Sequence, residues 1–454
     1  MKKIRILSLF LSLLMLMCAV AAPSAGALES VSYSLPEDTT ISAQSALVVH
    51  LGTSAEKDTM LYSKNADASL APAAMVRVMV GITAMTIIEE KNLDMDTATG
   101  TYTDACFQAI AGSGIATAGM VEGDVWTLRD LLTISMIQSA GDAVETLAFA
   151  LAGTDTAFVQ RMNELASSQV GCTGTVFTNV HGNDDPKQVT TAMDMYRMLR
   201  YAMNFAELQS MLSLTDYTVK PKKGEGIILP NVNNLLRAST DSYYAPAQFG
   251  RSGWSDLTGP GVAAVARDNG YEYMVVVMGC SQESGNDHFA DARTLFRWAF
   301  GNFSLTTVRT KNDPIVNVQV RLCWEQDNVQ LVPKEDVTAI LPDTLDTSTL
   351  TVELSDVPSQ LDAPVEKGKT YGSAAFYTSD GQKIGEVELV ADQSLSRSQW
   401  LFIWHCIGSF FTSGWFWGGL FILIALAGGY VLLTIRYNRQ RRQQQQRQKP
   451  QDKK

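Results

Sequence analysis

The sequence is poor in the residues that mark several common classes of protein. Its six cysteines are too few for a disulfide scaffold in 454 residues, and none of them forms the C-x-x-C pair of many zinc sites. Charged residues make up only 18% of the chain, and 47 Asp+Glu outnumber 36 Lys+Arg. An acidic balance of this kind argues against a nucleic-acid-binding body. We therefore expect no metal, no cofactor and no nucleic-acid partner.

Each end of the chain carries a membrane signal instead. A basic start, an apolar run and a small-x-small site at 25–27 predict that residues 1–27 are a secretory signal peptide. Residues 415–435 carry no charge, and these 21 residues as a helix span a hydrocarbon core of about 30 Å. The tail at 436–454 has a net charge of +7. The positive-inside rule therefore predicts a transmembrane helix, a cytoplasmic tail and an extracytoplasmic body at the cell membrane.

The predicted outer body is strongly acidic. It has a net charge of −21 once the signal peptide, at +3, and the basic tail are set aside. Such a body does not attract anionic surface polymers over long range, so any anion that it binds must be held locally. It also contains four irregularly spaced cysteines, Cys106, Cys172, Cys280 and Cys323. Disulfides are permitted in this compartment, and buried free thiols are an equal alternative.

Changes in the pattern of apolar and polar residues divide the outer body into segments. After a polar, irregular leader at 28–43, helical spacing predicts helices at 73–90, 128–138, 143–152, 156–168, 190–205 and 291–300. Alternation predicts strands at 46–50, 59–62, 262–267 and 272–279, with a hairpin turn at 268–270. Central helices between terminal strands favour a mixed α/β layer fold over residues 44–305. Alternating strands such as 316–322 predict a small all-β domain at 310–395, and an aromatic interfacial segment follows at 396–414.

Four stretches together resemble the serine-type D-alanyl-D-alanine carboxypeptidases, the low-molecular-weight penicillin-binding proteins. The first is the segment 61–77, which reads L-Y-S-K-N-A-D at 61–67 and L-A-P-A-A-M-V-R at 70–77. The other three are S-A-G-D-A at 139–143, T-N-V-H-G at 178–182 and G-R-S-G-W at 250–254. Each stretch is modest alone, but they stand in the family's order within residues 40–302. The resemblance implies an α/β serine peptidase domain of the β-lactamase/penicillin-binding-protein type, with peptidoglycan stem peptide as its ligand.

The chain departs from the family pattern where the family's chemistry lies. The nucleophilic serine falls on Ala74, which has no oxygen to acylate. The lysine one helical turn further on falls on Arg77, and an arginine, with a pKa above about 12, does not act as a base. The amide-clamp asparagine falls on Gly141. We therefore predict that no catalytic residue is intact, because groups that act as a unit also fail as a unit.

Other family positions keep groups that suit a bound peptide. The resemblance implies that residues 251–253 belong to the strand that holds the substrate's terminal carboxylate, and arginine can bind a carboxylate bidentately. Ser139 keeps a hydroxyl, and the backbone N–H groups of Ala74 and Trp254 stand where the family forms its oxyanion hole. The predicted ligand-binding residues are therefore Ser139, Arg251, Ser252, Gly253 and Trp254.

Three functions remain open after these substitutions. The first is a membrane-anchored pseudoenzyme that binds stem peptide or a cell-wall protein without hydrolysis. The second is an active serine-type D-Ala-D-Ala carboxypeptidase with unorthodox residues, although the S-A-E-K stretch at 54–57 lies outside the aligned helix and offers no replacement nucleophile. The third is a pure interaction scaffold with an inert cleft, in which Arg77 and Arg251 are structural and pair with nearby acids. In all three, we expect His181 to pack its loop.

Overall fold

The structure is a computed structural model that describes residues 29–30, 33–219 and 226–447. The predicted signal peptide and the last seven residues of the basic tail lie outside these ranges. The chain divides into two compact units, one formed mainly by residues up to Thr306 and one formed mainly by the residues after it.

The helices and strands are numbered in chain order. The helices are α1 Arg77–Glu90, α2 Asp104–Ile110, α3 Leu128–Ile137, α4 Gly141–Ala152, α5 Asp155–Leu165, α6 Ala192–Ala202, α7 Ala206–Leu212, α8 Asp287–Asn302, α9 Gln399–Thr412 and α10 Gly414–Arg447. The strands are β1 Glu29–Ser30, β2 Ser45–His50, β3 Thr59–Lys64, β4 Thr99–Thr101, β5 Val125–Thr127, β6 Asp216–Val219, β7 Ile227–Pro230, β8 Ala247–Gly253, β9 Gly261–Asp268, β10 Tyr271–Met278, β11 Phe303–Arg309, β12 Val316–Arg321, β13 Asn328–Pro333, β14 Val337–Pro342, β15 Thr351–Ser355, β16 Gln360–Asp362, β17 Thr370–Tyr377 and β18 Lys383–Ala391.

The first unit is built on a six-stranded sheet with the order β1-β3-β2-β10-β9-β8. Its strands pair antiparallel, except that β1 runs parallel to β3. The strands predicted at 46–50, 59–62, 262–267 and 272–279 are confirmed as β2, β3, β9 and β10. Asn269 and Gly270 form the two-residue turn of the β9–β10 hairpin, with positive φ angles of 49° and 86° that this kind of turn needs.

Both faces of this sheet are covered. Along β10, Met274 and Val276 belong to one apolar cluster, and Val275 and Val277 belong to another, as the two-residue period of a strand requires. The first cluster includes α1, which is buried around nearly its whole circumference, as is typical of a central helix. The second cluster includes α8. The predicted mixed α/β layer fold is thus confirmed.

Several elements differ from the predicted ones in extent. Helix α6 is shorter than the predicted 190–205 because Thr191 caps its start, where the hydroxyl accepts the N–H of Asp194. Helix α8 begins at Asp287 rather than at 291. The pairs β4–β5 and β6–β7 fall outside the prediction because strands of three or four residues leave little periodicity. The leader is less irregular than predicted, since β1 joins the sheet.

The second unit contains a six-stranded sheet with the order β15-β17-β18-β13-β12-β16. Along β12, Val318 and Val320 are buried, whereas Asn317 and Gln319 between them are exposed. This alternation confirms the basis on which an all-β domain was predicted. Helices α9 and α10 follow the sheet, and α10 is long and apolar enough to cross a membrane, by length and composition.

The cysteines of the predicted outer body are free thiols. Cys106, Cys172, Cys280 and Cys323 are all buried, and none of them is paired. Burial raises the pKa of the Cys172 thiol to about 12, so this group stays protonated at neutral pH. Of the two alternatives for these residues, the structure therefore holds the buried free thiols.

Candidate active site

The stretch that carries the family's nucleophile position forms a tight turn before the central helix. Ala73–Val76 is a 3-10 turn that runs directly into α1. Ala73 has a φ of 47°, a left-handed conformation that costs a non-glycine residue about 1 kcal/mol or more. Two glycines let neighbouring segments approach this turn: a Cβ added at Gly182 would lie 2.5 Å from the Ala73 carbonyl oxygen, and one at Gly253 would lie 2.8 Å from the Ala74 nitrogen. The strained turn is present although Ala74 offers only a methyl group.

Arg77 stands at the position of the family's base and is fully buried. Its Nε and Nη2 atoms donate to the carbonyl oxygen of His181 at 3.3 and 3.1 Å, and Nη1 donates to the carbonyl oxygen of Ala140 at 3.2 Å. Burial lowers the pKa of Arg77 to about 10, although the charges of Glu145 and Asp142 oppose the shift. The guanidinium therefore stays protonated at neutral pH and cannot take up a proton from another group.

The amide-clamp position lies at the start of α4 and is occupied by a neighbouring side chain. A Cβ added at Gly141 would lie 2.7 Å from Cγ2 of Ile115, so an asparagine does not fit without movement of that isoleucine. The Gly141 N–H donates to the carbonyl of Ala116 at 2.8 Å. Asp142 accepts the N–H groups of Ala118 and Met120, both at 2.9 Å. These bonds hold the 115–120 loop against the start of α4.

Arg251 extends from β8 into the protein interior and is fully buried. Its Nε donates to the carbonyl oxygen of Ala74 at 3.2 Å, Nη1 donates to that of Met136 at 2.9 Å, and Nη2 donates to that of Gln138 at 2.8 Å. Nη2 also lies 3.5 Å from the hydroxyl oxygen of Ser139. In this conformation, a ligand carboxylate reaches the guanidinium only if it displaces these carbonyl groups.

Among the residues that the structure describes, no carboxylate forms an ion pair with Arg77 or Arg251. Burial, with a contribution from the charge of Arg77, holds the pKa of Arg251 well below its usual range. Within the described ranges, the ion pairs include neither guanidinium, and backbone carbonyls take the place of the acids that the scaffold hypothesis expected. Glu145 is buried, and burial raises its pKa to about 8, with Asp155 adding to the shift. Sequence reasoning missed Glu145, whose place one helical turn after Gly141 was the available signal.

The other residues of the G-R-S-G-W stretch lie partly in the interior and partly at the surface. Ser252 is buried, and its hydroxyl donates to the carbonyl of Val232 at 3.1 Å. Trp254 is 45% exposed, and its Nε1 donates to Asp256 at 3.1 Å. The ligand-binding roles of these residues stay predictions. The predicted site residues that the structure brings together around the turn are Ala74, Ser139, Arg251 and Gly253.

The T-N-V-H-G stretch forms a loop that supports the turn. The Nδ1 atom of His181 accepts the N–H of Asn183 at 3.1 Å, while its carbonyl accepts the bonds from Arg77. Burial lowers the pKa of His181 to about 4, and the positive charge of Arg77 adds to this shift. His181 is therefore neutral at neutral pH, and its contacts are those of a loop-packing residue.

The side chains at positions 74 and 77 offer neither a nucleophile nor a free base. Position 74 carries no hydroxyl, and the group one turn further on is a protonated guanidinium with three hydrogen bonds. The S-A-E-K stretch lies in a surface turn, Ala55–Lys57, between β2 and β3. The backbone N–H groups of Ala74 and Trp254 stay predicted donors to an oxyanion.

Two family models match the chain. A model described as D-alanyl-D-alanine carboxypeptidase matches residues 31–282, which is more than half of the sequence. A model described as the C-terminal domain of penicillin-binding protein 5 matches residues 303–397. The two matches fall on the α/β domain and on the all-β domain.

Individual relatives are similar over most of their length. The D-alanyl-D-alanine carboxypeptidase DacF of Bacillus subtilis is 22% identical over 345 residues, which cover 76% of this chain and 85% of the relative. DacC of Escherichia coli is 25% identical over 346 residues, with 74% and 81% covered. Among solved structures, penicillin binding protein 5 from Haemophilus influenzae has a TM-score of 0.60 at 22% identity, over 80% of this chain and 100% of that chain. DacD from Francisella tularensis has a TM-score of 0.62 at 20% identity, over 81% and 98%. At these identities the solved structures establish a common fold.

Proposed function

The chain belongs to the D-alanyl-D-alanine carboxypeptidase family, and we propose that it is a member that does not hydrolyse its ligand. It is a membrane-anchored, extracytoplasmic pseudoenzyme that binds peptidoglycan stem peptide or a cell-wall protein. The loss of hydrolysis is supported by one pair of neighbouring positions. A methyl group stands at position 74, and the buried guanidinium of Arg77 stands where the base would be.

This loss is specific to the covalent route. Acylation needs an oxygen nucleophile and a group that accepts its proton. Ala74 supplies no oxygen, and Arg77 is already protonated and bonded to the carbonyls of His181 and Ala140. A nucleophile at position 74 would still lack a base, and a base at position 77 would still lack a nucleophile. A single substitution therefore does not restore the covalent route.

Labelling with a fluorescent penicillin tests the proposal. The full chain should form no covalent adduct, because there is no hydroxyl to open the β-lactam ring. The double variant Ala74→Ser/Arg77→Lys restores both groups, and circular dichroism shows whether it is folded. A labelled wild-type chain, or release of D-alanine from a stem-peptide mimic, would instead establish the active carboxypeptidase.

Anchoring by α10 is part of the same proposal. The helix is apolar, exposed and long enough to span a bilayer, and the arginines beyond residue 435 favour a cytoplasmic C-terminus. A reporter enzyme that is active only outside the cytoplasm should be silent when it is fused after residue 454. An active reporter there would reverse the orientation.

Binding of stem peptide depends on the predicted ligand residues. Ser139 and Trp254 are partly exposed, and Gly253 lies against the Ala74 turn. Isothermal calorimetry of the full chain with a D-Ala-D-Ala peptide measures this binding directly. Binding heat should disappear in Arg251→Ala and persist in Arg267→Ala, which removes an arginine that is paired with Glu272 on the surface.

The scaffold with an inert cleft is the second candidate function. It is favoured by the complete burial of Arg251 and by Ile115, which takes up the space beside Gly141. In that case, the peptide gives no heat with the wild-type chain, and the partner is a cell-wall protein that binds elsewhere.

A further inference from the structure

The apolar helix α10 does not end where its apolar residues end. Its last apolar residue before the basic segment is Ile435, and the helix continues to Arg447. A helical extension of about three turns therefore follows the candidate membrane span. The side chains of residues 436–444 are all exposed. The positive-inside rule accounts for the sign of the charge on this extension, but not for the helical form in which its arginines are presented.

Three arginines form a stripe along this extension. At 100° per residue, Arg436, Arg439 and Arg442 follow one another at steps of about −60°, so they lie within about a third of the helix circumference. Arg441 points to the other side of the helix by the same count. We call the three residues the arginine stripe.

In the described part of the chain, the arginine stripe has no ion-pair partner. Among the residues that the structure describes, no acid forms an ion pair with any of the three arginines. After Ile435, the sequence contains one acid, Asp452, against eight cations. The described residues therefore leave the arginine stripe available to an anionic partner.

We propose that the arginine stripe binds the headgroups of anionic phospholipids in the cytoplasmic leaflet. At about 1.5 Å per residue, Arg436 to Arg442 lie about 1.5–10 Å beyond Ile435 along the helix. The headgroup region on each side of the hydrocarbon core is about 5–8 Å thick, and surface charges act over a Debye length of about 8 Å. The stripe therefore begins inside the phosphate layer, where guanidinium groups bind phosphate bidentately.

The inference rests on the proposed anchoring by α10, and the two can fail separately. If alkaline carbonate releases the full chain from membranes, the anchor is absent. If the chain resists carbonate and shows no lipid preference, the anchor stands and the lipid site does not exist.

The experiment measures which lipids lie next to the helix. The full chain is reconstituted in phosphatidylcholine vesicles that contain a trace of spin-labelled phosphatidylglycerol or spin-labelled phosphatidylcholine. Electron paramagnetic resonance then gives the immobilised fraction of each lipid. We expect phosphatidylglycerol to associate about fivefold or more in preference to phosphatidylcholine, and 0.5 M salt to reduce this preference.

A matched pair of variants assigns the effect to the stripe. Arg436→Gln/Arg439→Gln/Arg442→Gln should bring the preference close to one. Lys449→Gln/Lys453→Gln/Lys454→Gln removes the same charge from the end of the chain and should keep most of the preference. Equal lipid association in the wild-type chain, or an equal loss in both variants, would overturn the proposal. Tight binding of a short RNA by a chain that lacks the lipid preference would also overturn it and identify a different partner.

Discussion

At the scale of single residues, Arg251 and Ile115 fill the space around the predicted site. Arg251 donates to three backbone carbonyls, and Ile115 lies where a side chain at position 141 would begin. Arginine is suited to this role because its fixed fork of donors can satisfy several carbonyls at once. Hydrogen bonding and packing therefore occupy the predicted site, whatever reactive groups it holds.

The contact between positions 141 and 115 predicts a coupled pair of substitutions. Gly141→Asn should destabilise the protein by about 1–3 kcal/mol, because its Cβ would lie 2.7 Å from Ile115 Cγ2. Ile115→Ala removes that atom, so the cost of Gly141→Asn should become smaller in the Ile115→Ala background. Chemical denaturation of the two single variants and the double variant measures the coupling. Additive effects would mean that the two side chains do not compete for one space.

Glu145 predicts a dependence of stability on pH. Its pKa is raised from 4.5 to about 8 in the folded protein, so the folded state binds this proton more tightly than the unfolded state. This group therefore lowers stability as the pH rises from about 4.5 to 8, by at most about 1.4 kcal/mol per pH unit. Glu145→Gln should lose that slope and be more stable than the wild type at pH 8. Denaturation midpoints of both proteins between pH 5 and 9 give the comparison, and parallel curves would contradict it.

At this scale the sequence predicted which side chains of the family pattern are missing. It did not predict how the side chains that stand around those positions pack. Ala74, Arg77 and Gly141 can be recognised from motif spacing alone. Whether Arg251 faces solvent or the interior depends on carbonyls from α3 and from the 73–76 turn, which lie more than a hundred residues away in the chain. Ile115 comes from a loop whose place is fixed by Asp142. Such tertiary partners leave no local pattern.

At the scale of elements, the β9–β10 hairpin gives a clear test of turn chemistry. Gly270 has a φ of 86° in open space, so Gly270→Ala should cost about 1 kcal/mol from backbone strain alone. Gly301 in α8 is also in open space and has no positive φ. Gly301→Ala should therefore be neutral or slightly stabilising. Urea denaturation of both variants compares them, and an equal effect would show that the turn is not strained.

The elements that were predicted well are those with a strong local signal. Asn269-Gly270 between two apolar runs predicts the hairpin, and a long apolar stretch predicts helix α1. The short strands β4 to β7 and the exact start of α8 depend on pairing and packing with distant segments. Helix ends are also decided by single capping residues such as Thr127 and Thr154, which resemble many other threonines in the sequence.

At the scale of the whole molecule, the C-terminal helices predict three grades of membrane attachment. The wild-type chain should stay in the membrane pellet in alkaline carbonate if α10 spans the bilayer as proposed. A chain that ends at Ser413 keeps α9, whose Trp400, Trp404 and Phe410 are at least 60% exposed, and it should bind membranes but be released by carbonate. A chain that ends at Ser398 should be soluble. Fractionation tests all three, and a soluble chain ending at Ser413 would show that α9 is not interfacial.

The overall architecture was largely predictable because it follows from a resemblance that extends over most of the chain. Both domains are covered by family models, and the fold is shared with solved structures at about 20% identity. A fold persists at low sequence identity because an apolar core tolerates many substitutions that keep its pattern and volume. Chemistry depends on individual atoms, so a single change such as the one proposed at position 74 is enough to remove it.

The turn at Ala73 separates two properties that are joined in a working hydrolase. A substitution beside a reactive side chain acts on stability and on the reaction at once, so the two effects are measured together. Here the bend at Ala73, with its φ of 47°, stands next to a methyl group. In Ala73→Gly, the change in the free energy of unfolding would therefore report the conformational cost of the bend alone, without a contribution from a reactive side chain at position 74.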